Sequence, residues 1–145
     1  MSPVSQPTAV LLDTCAVIWL ANGDPLENDA SSKITYAALA DGVFVSPISA
    51  WEIGMLARPR AGRAITFLPD PATWFVRFMA GPAIKPAAFT ADIAIAASSL
   101  PEPLHADPAD RLLIATARHL GMPIVTRDSK IIAYATAGHV STISC

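Results

Sequence analysis

AVLLDTCAVIWLANG, residues 9–23, decides the reading of this chain. Its first part, AVLLD, is an uninterrupted apolar run closed by an acid, as expected of a central parallel strand buried on both faces. The remainder, TCAVIWLAN, predicts a helix that stops at Gly23. Asp13 at the junction is the only charge between Thr8 and Gly23. Burying a lone carboxylate costs several kcal/mol, on the order of 3–5, unless something compensates it, and no Lys or Arg lies nearby in sequence. The same situation recurs in VFVSPISAWEIGMLA, residues 43–57, where Glu52 is the only charge. Asp110 and Asp128 also stand where strand and helix patterns meet.

Outward from these junctions the chain alternates short strand-like runs with helical segments, without internal repeats. A helix is predicted over residues 29–41, a strand over 43–46 and a helix over SAWEIGMLA. RPRAGRAITFLPDP, residues 58–71, reads as a long loop with an apolar anchor at Ile65 to Leu68. PATWFVRFMAG is amphipathic, and AIKP forms a short strand. TADIAIAASSL is a helix with Thr90 as its N-cap. DPADRLLIATARHLG is the clearest helix, with Pro108 at its first position and Gly121 at its end. PIVTRD runs as a strand into SKIIAYATAG, a short helix, and HVSTIS supplies an edge strand. Such alternation predicts an α/β fold with a mostly parallel central sheet covered on both faces. Its strand-to-helix junctions then share one edge, where ligands bind in open α/β sheets.

The totals narrow the class. A chain of 145 residues fits one domain, taken as residues 9–145 after an N-terminal extension of residues 1–8. Hydrophobic residues make up 52% and charged residues 15%, which excludes disorder and leaves apolar surface for a partner. No apolar run is long enough for a membrane span, and the N-terminus lacks the basic start of a signal peptide, so a cytoplasmic protein is expected. Cys15 and Cys145 form neither a disulfide framework nor a zinc spacing, and Cys15 reads as a core residue. His105, His119 and His139 are scattered, with His105 in a loop. The net charge is −2. Twelve acids less the four at the junctions leave eight against ten Lys and Arg, a surface compatible with phosphate.

Helix capping is the rival account of the acids. Ser49-x-x-Glu52 fits a capping box, Asp107 precedes a first-turn proline, and Asp13 and Asp128 could each cap the following helix. Both accounts bring the acids to one edge, where repulsion must be relieved by raised pKa values or by a hard cation with oxygen ligands, Mg²⁺ or Mn²⁺. Thr14, Ser46, Ser49 and Thr126 could serve as caps or hold waters beside the cation. Arg111 would contact a phosphate or neutralise the acid pair. Arg58, Arg60 and Arg63 could grip a nucleic-acid backbone or lie on a solvated surface. Trp19, Trp51 and Trp74 read as core or interface packing.

The blocks VLLDTCAVIWL, VSPISAWEIGML, HADPADRLLIATA and PIVTRDSKI resemble, in order and spacing, a PIN-domain nuclease, with the nearest likeness to VapC-type toxins. The resemblance spans Ala9 to the C-terminus. It implies a three-layer α/β/α PIN-like fold and metal-dependent endoribonuclease activity on RNA. Asp13, Glu52, Asp110 and Asp128 would be the catalytic and metal-holding acids around Mg²⁺ or Mn²⁺. A homodimer and a small antitoxin partner of the VapB kind are implied as well. Ala109 departs from the pattern, where relatives often carry an aromatic residue, and Asp107 would be an accessory acid. Two other readings are a PIN-like binding module that no longer cleaves and a Mg²⁺-dependent phosphatase, although DTCAV lacks the DxDxT pattern of haloacid-dehalogenase-like phosphatases.

Overall fold

β1 (Ala9–Leu12) lies at the centre of a five-stranded sheet. Val10, Leu11 and Leu12 have no solvent exposure, as their continuous apolar character demands. The computed structural model describes residues 6–59 and 64–145. Along the described chain follow α1 (Thr14–Asn22), α2 (Asn28–Leu39), β2 (Gly42–Val45), α3 (Pro47–Leu56), α4 (Pro71–Met79), β3 (Ile84–Pro86), α5 (Ala91–Ser98), α6 (Pro108–Leu120), β4 (Ile124–Thr126), α7 (Ser129–Thr136) and β5 (Thr142–Ser144). The sheet order is β3-β2-β1-β4-β5, and every pairing is parallel.

Side chains alternate across β1, and the layers follow from that alternation. Val10 and Leu12 join Ala16, Val17, Ile34 and Ile53 in a core formed with α1 to α4. Leu11 points the other way, into a core with Ile93, Leu113, Ile114 and Ile131 of α5 to α7. The result is the expected α/β/α sandwich. Cutting Leu11 or Leu12 back to Ala would cost about 2–5 kcal/mol, the range for fully buried leucines.

Helix ends obey their local chemistry. Gly23 takes a left-handed φ of 72° and closes α1, its N–H donating to the Leu20 and Trp19 carbonyls, a position that suits a residue without Cβ. Asp107, Pro108 and Gly121 begin and end α6 as expected, and Thr90 caps α5. α3 differs from expectation. Pro47 occupies its first turn and Ser46 is the N-cap, accepting from Ile48 N at 3.0 Å. The helix therefore starts three residues before the Ser49 of the proposed capping box, and Glu52 lies mid-helix, beyond reach of any free N–H at the start. The loop before α4 also differs: Phe67 alone is the anchor, edge-on to Trp74 at 4.9 Å, while Ile65 and Leu68 are exposed. Arg60 and Arg63 lie outside the described residues.

Candidate metal and nuclease site

The sheet order reverses between β1 and β4, opening a crevice at the carboxyl ends of the strands. Asp13 follows β1 directly and Asp128 lies two residues beyond β4, so they flank that crevice. α3 and α6 start at the same edge and bring Glu52 and Asp110. All four acids line one cleft of about 400 Å³, with Thr14, Cys15, Trp51, Met55 and Asp107.

Asp13 is the buried member, 7% exposed. Both carboxylate oxygens are engaged: Thr14 N donates to Oδ1 at 2.7 Å and Thr126 Oγ1 donates to Oδ2 at 2.7 Å. This second bond follows from the register, since Leu12 faces Val125 and the next residues on each strand then meet. Thr126 Oγ1 also accepts from Asp128 N at 3.0 Å, joining the two acid-bearing ends. Burial raises the Asp13 pKa; the Thr126 and Thr14 bonds oppose it, and Asp110 and Asp128 add repulsion.

Glu52 reaches the cleft because a helical side chain leans toward the N-terminus of its own helix. Thr14 Oγ1 hydrogen-bonds Glu52 Oε1 and lies 3.0 Å from Ser49 Oγ. Thr14 thus links the first and second junctions through its main-chain N–H and its hydroxyl. Burial pushes the Glu52 carboxyl from its ordinary 4.5 to about 7, against the Thr14 bond, with Asp13, Asp110 and Asp107 repelling it further. Asp110 is raised as well, first by burial and then by Asp107 and Asp128, against the bond from His105. His105 Nε2 stands 2.7 Å from Asp110 Oδ2.

Capping and site formation coexist. Asp13, Asp107 and Asp128 cap α1, α6 and α7, and the caps bring them to the cleft. Glu52 caps nothing. Its half-buried carboxyl is tied to α1 by the Thr14 hydroxyl and faces the other acids in the cleft.

Several side chains stand elsewhere than sequence reasoning put them. Cys15 is exposed at the cleft because α1 turns its buried side to Ala16 and Val17. Its thiol is pushed up to about 11 by burial of its surroundings and by Asp13, Glu52, Asp128 and Cys145. Trp51 is 55% exposed on the cleft wall, whereas Trp74 packs in the core and Trp19 carries the Arg127 guanidinium 3.5 Å from its ring centroid. Arg111 is turned away from the acid pair it was expected to neutralise. Its Nε donates to Ala97 O at 3.1 Å and its Nη2 lies 3.6 Å from Glu102 Oε1, on the α5 side of the molecule. His105 is in a loop as expected, yet it is bonded to a cleft acid. The short spacing of His105 to Asp110 across a helix start was the available signal.

The donor set is made of carboxylates and hydroxyls without an amine, the kind that hard divalent cations take. Among the described residues no three His, Cys, Asp or Glu side chains are gathered tightly enough to hold an ion unaided. An ion of the Mg²⁺ type keeps several waters and takes one or two carboxylates directly, so these oxygen donors would hold it partly through water. Mutual repulsion among Asp13, Glu52 and Asp110 is the electrostatic demand that such an ion would meet.

A family model described as the PIN domain matches residues 10–137. Ribonuclease VapC22 of Mycobacterium tuberculosis (strain ATCC 25618 / H37Rv) is 34% identical over 126 residues, 86% of this chain and 90% of that protein. Among solved structures, VapBC2 from Rickettsia felis, bound to a DNA fragment from their promoter, aligns with a TM-score of 0.66 at 13% identity, covering 94% of this chain and 98% of that one. VapBC-5 from Mycobacterium tuberculosis aligns with a TM-score of 0.54 at 19% identity, covering 96% and 100%. The structural likenesses speak for the fold, and the family match speaks for kinship. The chain belongs to the PIN-domain family, with a VapC ribonuclease among its relatives.

Proposed function

We propose that this protein is a Mg²⁺- or Mn²⁺-dependent endoribonuclease that hydrolyses RNA phosphodiester bonds and acts as the toxin of a toxin–antitoxin pair. The observation that carries the reading is the convergence of Asp13, Glu52, Asp110 and Asp128 on one cleft, in a chain related to a ribonuclease over nearly its whole length. A bound divalent ion would supply an activated water and offset charge on the scissile phosphate.

The chain's own residues do the rest. Thr126 and the Thr14 main chain hold Asp13 in one orientation, and the Thr14 hydroxyl holds Glu52 beside it. Such fixed placement is what positioning catalysis needs. Asp110 and Asp128 complete the oxygen-rich wall, while Trp51 and Met55 form an apolar wall beside it. Asp107 caps α6 and adds negative charge at the rim.

The partner reading rests on the VapBC structures named above and on exposed apolar side chains. Leu39, Leu68, Val76 and Ile95 are all more than half exposed, surface that a homodimer or an antitoxin of the VapB kind would cover. The reading places the protein in the cytoplasm with its RNA substrate. No helix among the described residues is long and apolar enough to cross a membrane.

Purified protein should cleave RNA with Mg²⁺ or Mn²⁺, stop in EDTA, and leave para-nitrophenyl phosphate intact. Asp13→Asn should abolish cleavage while the far-ultraviolet circular dichroism is unchanged. Cleavage that survives both EDTA and Asp13→Asn refutes the reading. Retained Mn²⁺ binding with no cleavage of any RNA favours the idle binding module, and metal-dependent hydrolysis of para-nitrophenyl phosphate favours the phosphatase.

A further inference from the structure

His105 stands outside the four-carboxylate set, yet its Nε2 meets Asp110 Oδ2 at 2.7 Å with both side chains largely covered. An ionised carboxylate only accepts, so the imidazole is the donor. Among the described residues this is the one side-chain bond that orients Asp110, in contrast to Asp13, whose two oxygens are each held by a separate donor.

The segment that carries His105 is itself tied down from outside the cleft. Tyr134 Oη donates to Pro101 O at 2.7 Å. Glu102 Oε2 accepts from Leu104 N at 2.9 Å, and its other oxygen lies 3.6 Å from Arg111 Nη2. Arg111 is fixed in turn by Ala97 O. Leu100 and Leu104 pack on the α5–α7 core. These ties account for the direction of Arg111: it fastens the segment preceding α6 to the helix whose first turn presents Asp110.

We propose that His105 is a positioning residue for the divalent-ion site, fixing Asp110 through one carboxylate oxygen and leaving the other for the cation. The inference rests on the metal-dependent nuclease reading and adds to it a residue outside the four acids. Partners that orient a ligating carboxylate typically change metal affinity roughly 10–100-fold when removed.

The test is Mn²⁺ binding without RNA, followed by loss of the electron paramagnetic resonance signal of aqueous Mn²⁺. His105→Ala should bind roughly 10–100-fold more weakly than the parent. His105→Gln, whose amide nitrogen can take the place of Nε2, should stay near parental affinity. Pulsed spectra of Mn²⁺ bound to the parent should show no directly coordinated imidazole nitrogen. Parental affinity in His105→Ala, binding in His105→Gln as weak as in His105→Ala, or a coordinated imidazole would each overturn the role while leaving the nuclease reading standing. A parent that binds no Mn²⁺ would sink both.

Discussion

Replacing Glu52 by Gln should make the metal-free protein more stable at alkaline pH and leave it unchanged in acid. The Glu52 carboxyl is displaced from its ordinary 4.5 to about 7, first by burial and then by Asp13, Asp110 and Asp107, with the Thr14 hydrogen bond opposing. At about 1.4 kcal/mol per pH unit, full ionisation in the folded state would cost about 3 kcal/mol. Glu52 is only partly buried and open to the cleft, so solvent screening reduces the effect to roughly 1–2 kcal/mol. Below pH 4.5 the side chain is protonated both folded and unfolded, and no difference is expected. Between 4.5 and about 7 the unfolded chain ionises while the folded one keeps its proton, so the parent loses stability as pH rises. Above about 7 the loss is complete. Urea unfolding in EDTA, followed by tryptophan fluorescence at about pH 4 and pH 8.5, reads this as a shift in midpoint at constant slope. Excess Mn²⁺ should reverse the order, because a ligand at 100 times its Kd stabilises the parent by about 2.7 kcal/mol. A Glu52→Gln protein no more stable than the parent at pH 8.5 would show that the cleft does not disfavour the ionised Glu52 carboxylate.

Thr126→Val removes the donor to Asp13 and the acceptor for Asp128 N, so a stability loss of about 1–3 kcal/mol is expected by urea unfolding. Arg111→Met should lower stability by about 1 kcal/mol through loss of the Ala97 and Glu102 contacts, with the KM for RNA unchanged at saturating Mn²⁺; a large rise in KM would restore Arg111 to the phosphate. The Cys15 thiol, pushed from 9.0 to about 11, should react with iodoacetamide at pH 7.5 about tenfold more slowly than free cysteine, the scarcity of thiolate being only partly offset by its greater nucleophilicity. Mn²⁺ should speed that alkylation by offsetting the surrounding acids, and a rate equal to that of free cysteine would contradict the electrostatics.

Much of this architecture could be read from residues 9–23 and the three other blocks, because a doubly covered parallel strand and a Gly-stopped helix each leave a strong local pattern. The placement of Asp13, Asp110 and Asp128 at one edge follows from topology alone. What failed to show was side-chain direction around helices. α3 has its N-cap at Ser46 because Pro47 prefers the first turn, and that three-residue displacement removes the capping-box reading of Glu52 and leaves its reading as a cleft acid. Cys15 was assigned to the core, and Trp51 to the core or an interface, from their apolar neighbours, although a helix that is apolar all round still turns one side to solvent. Arg111 and His105 are set by tertiary partners, Ala97, Glu102 and Asp110, two of which lie outside the local window of each residue.

We propose that Asp13, Glu52, Asp110 and Asp128 enclose a divalent ion. Crystals grown with Mn²⁺ and measured at the manganese absorption edge test it most directly. An anomalous peak in the cleft within about 2.0–2.3 Å of one or two of these carboxylates, with the others reached through water, is the predicted result. A cleft empty of anomalous density at saturating Mn²⁺, or a peak bound elsewhere on the molecule, would contradict it.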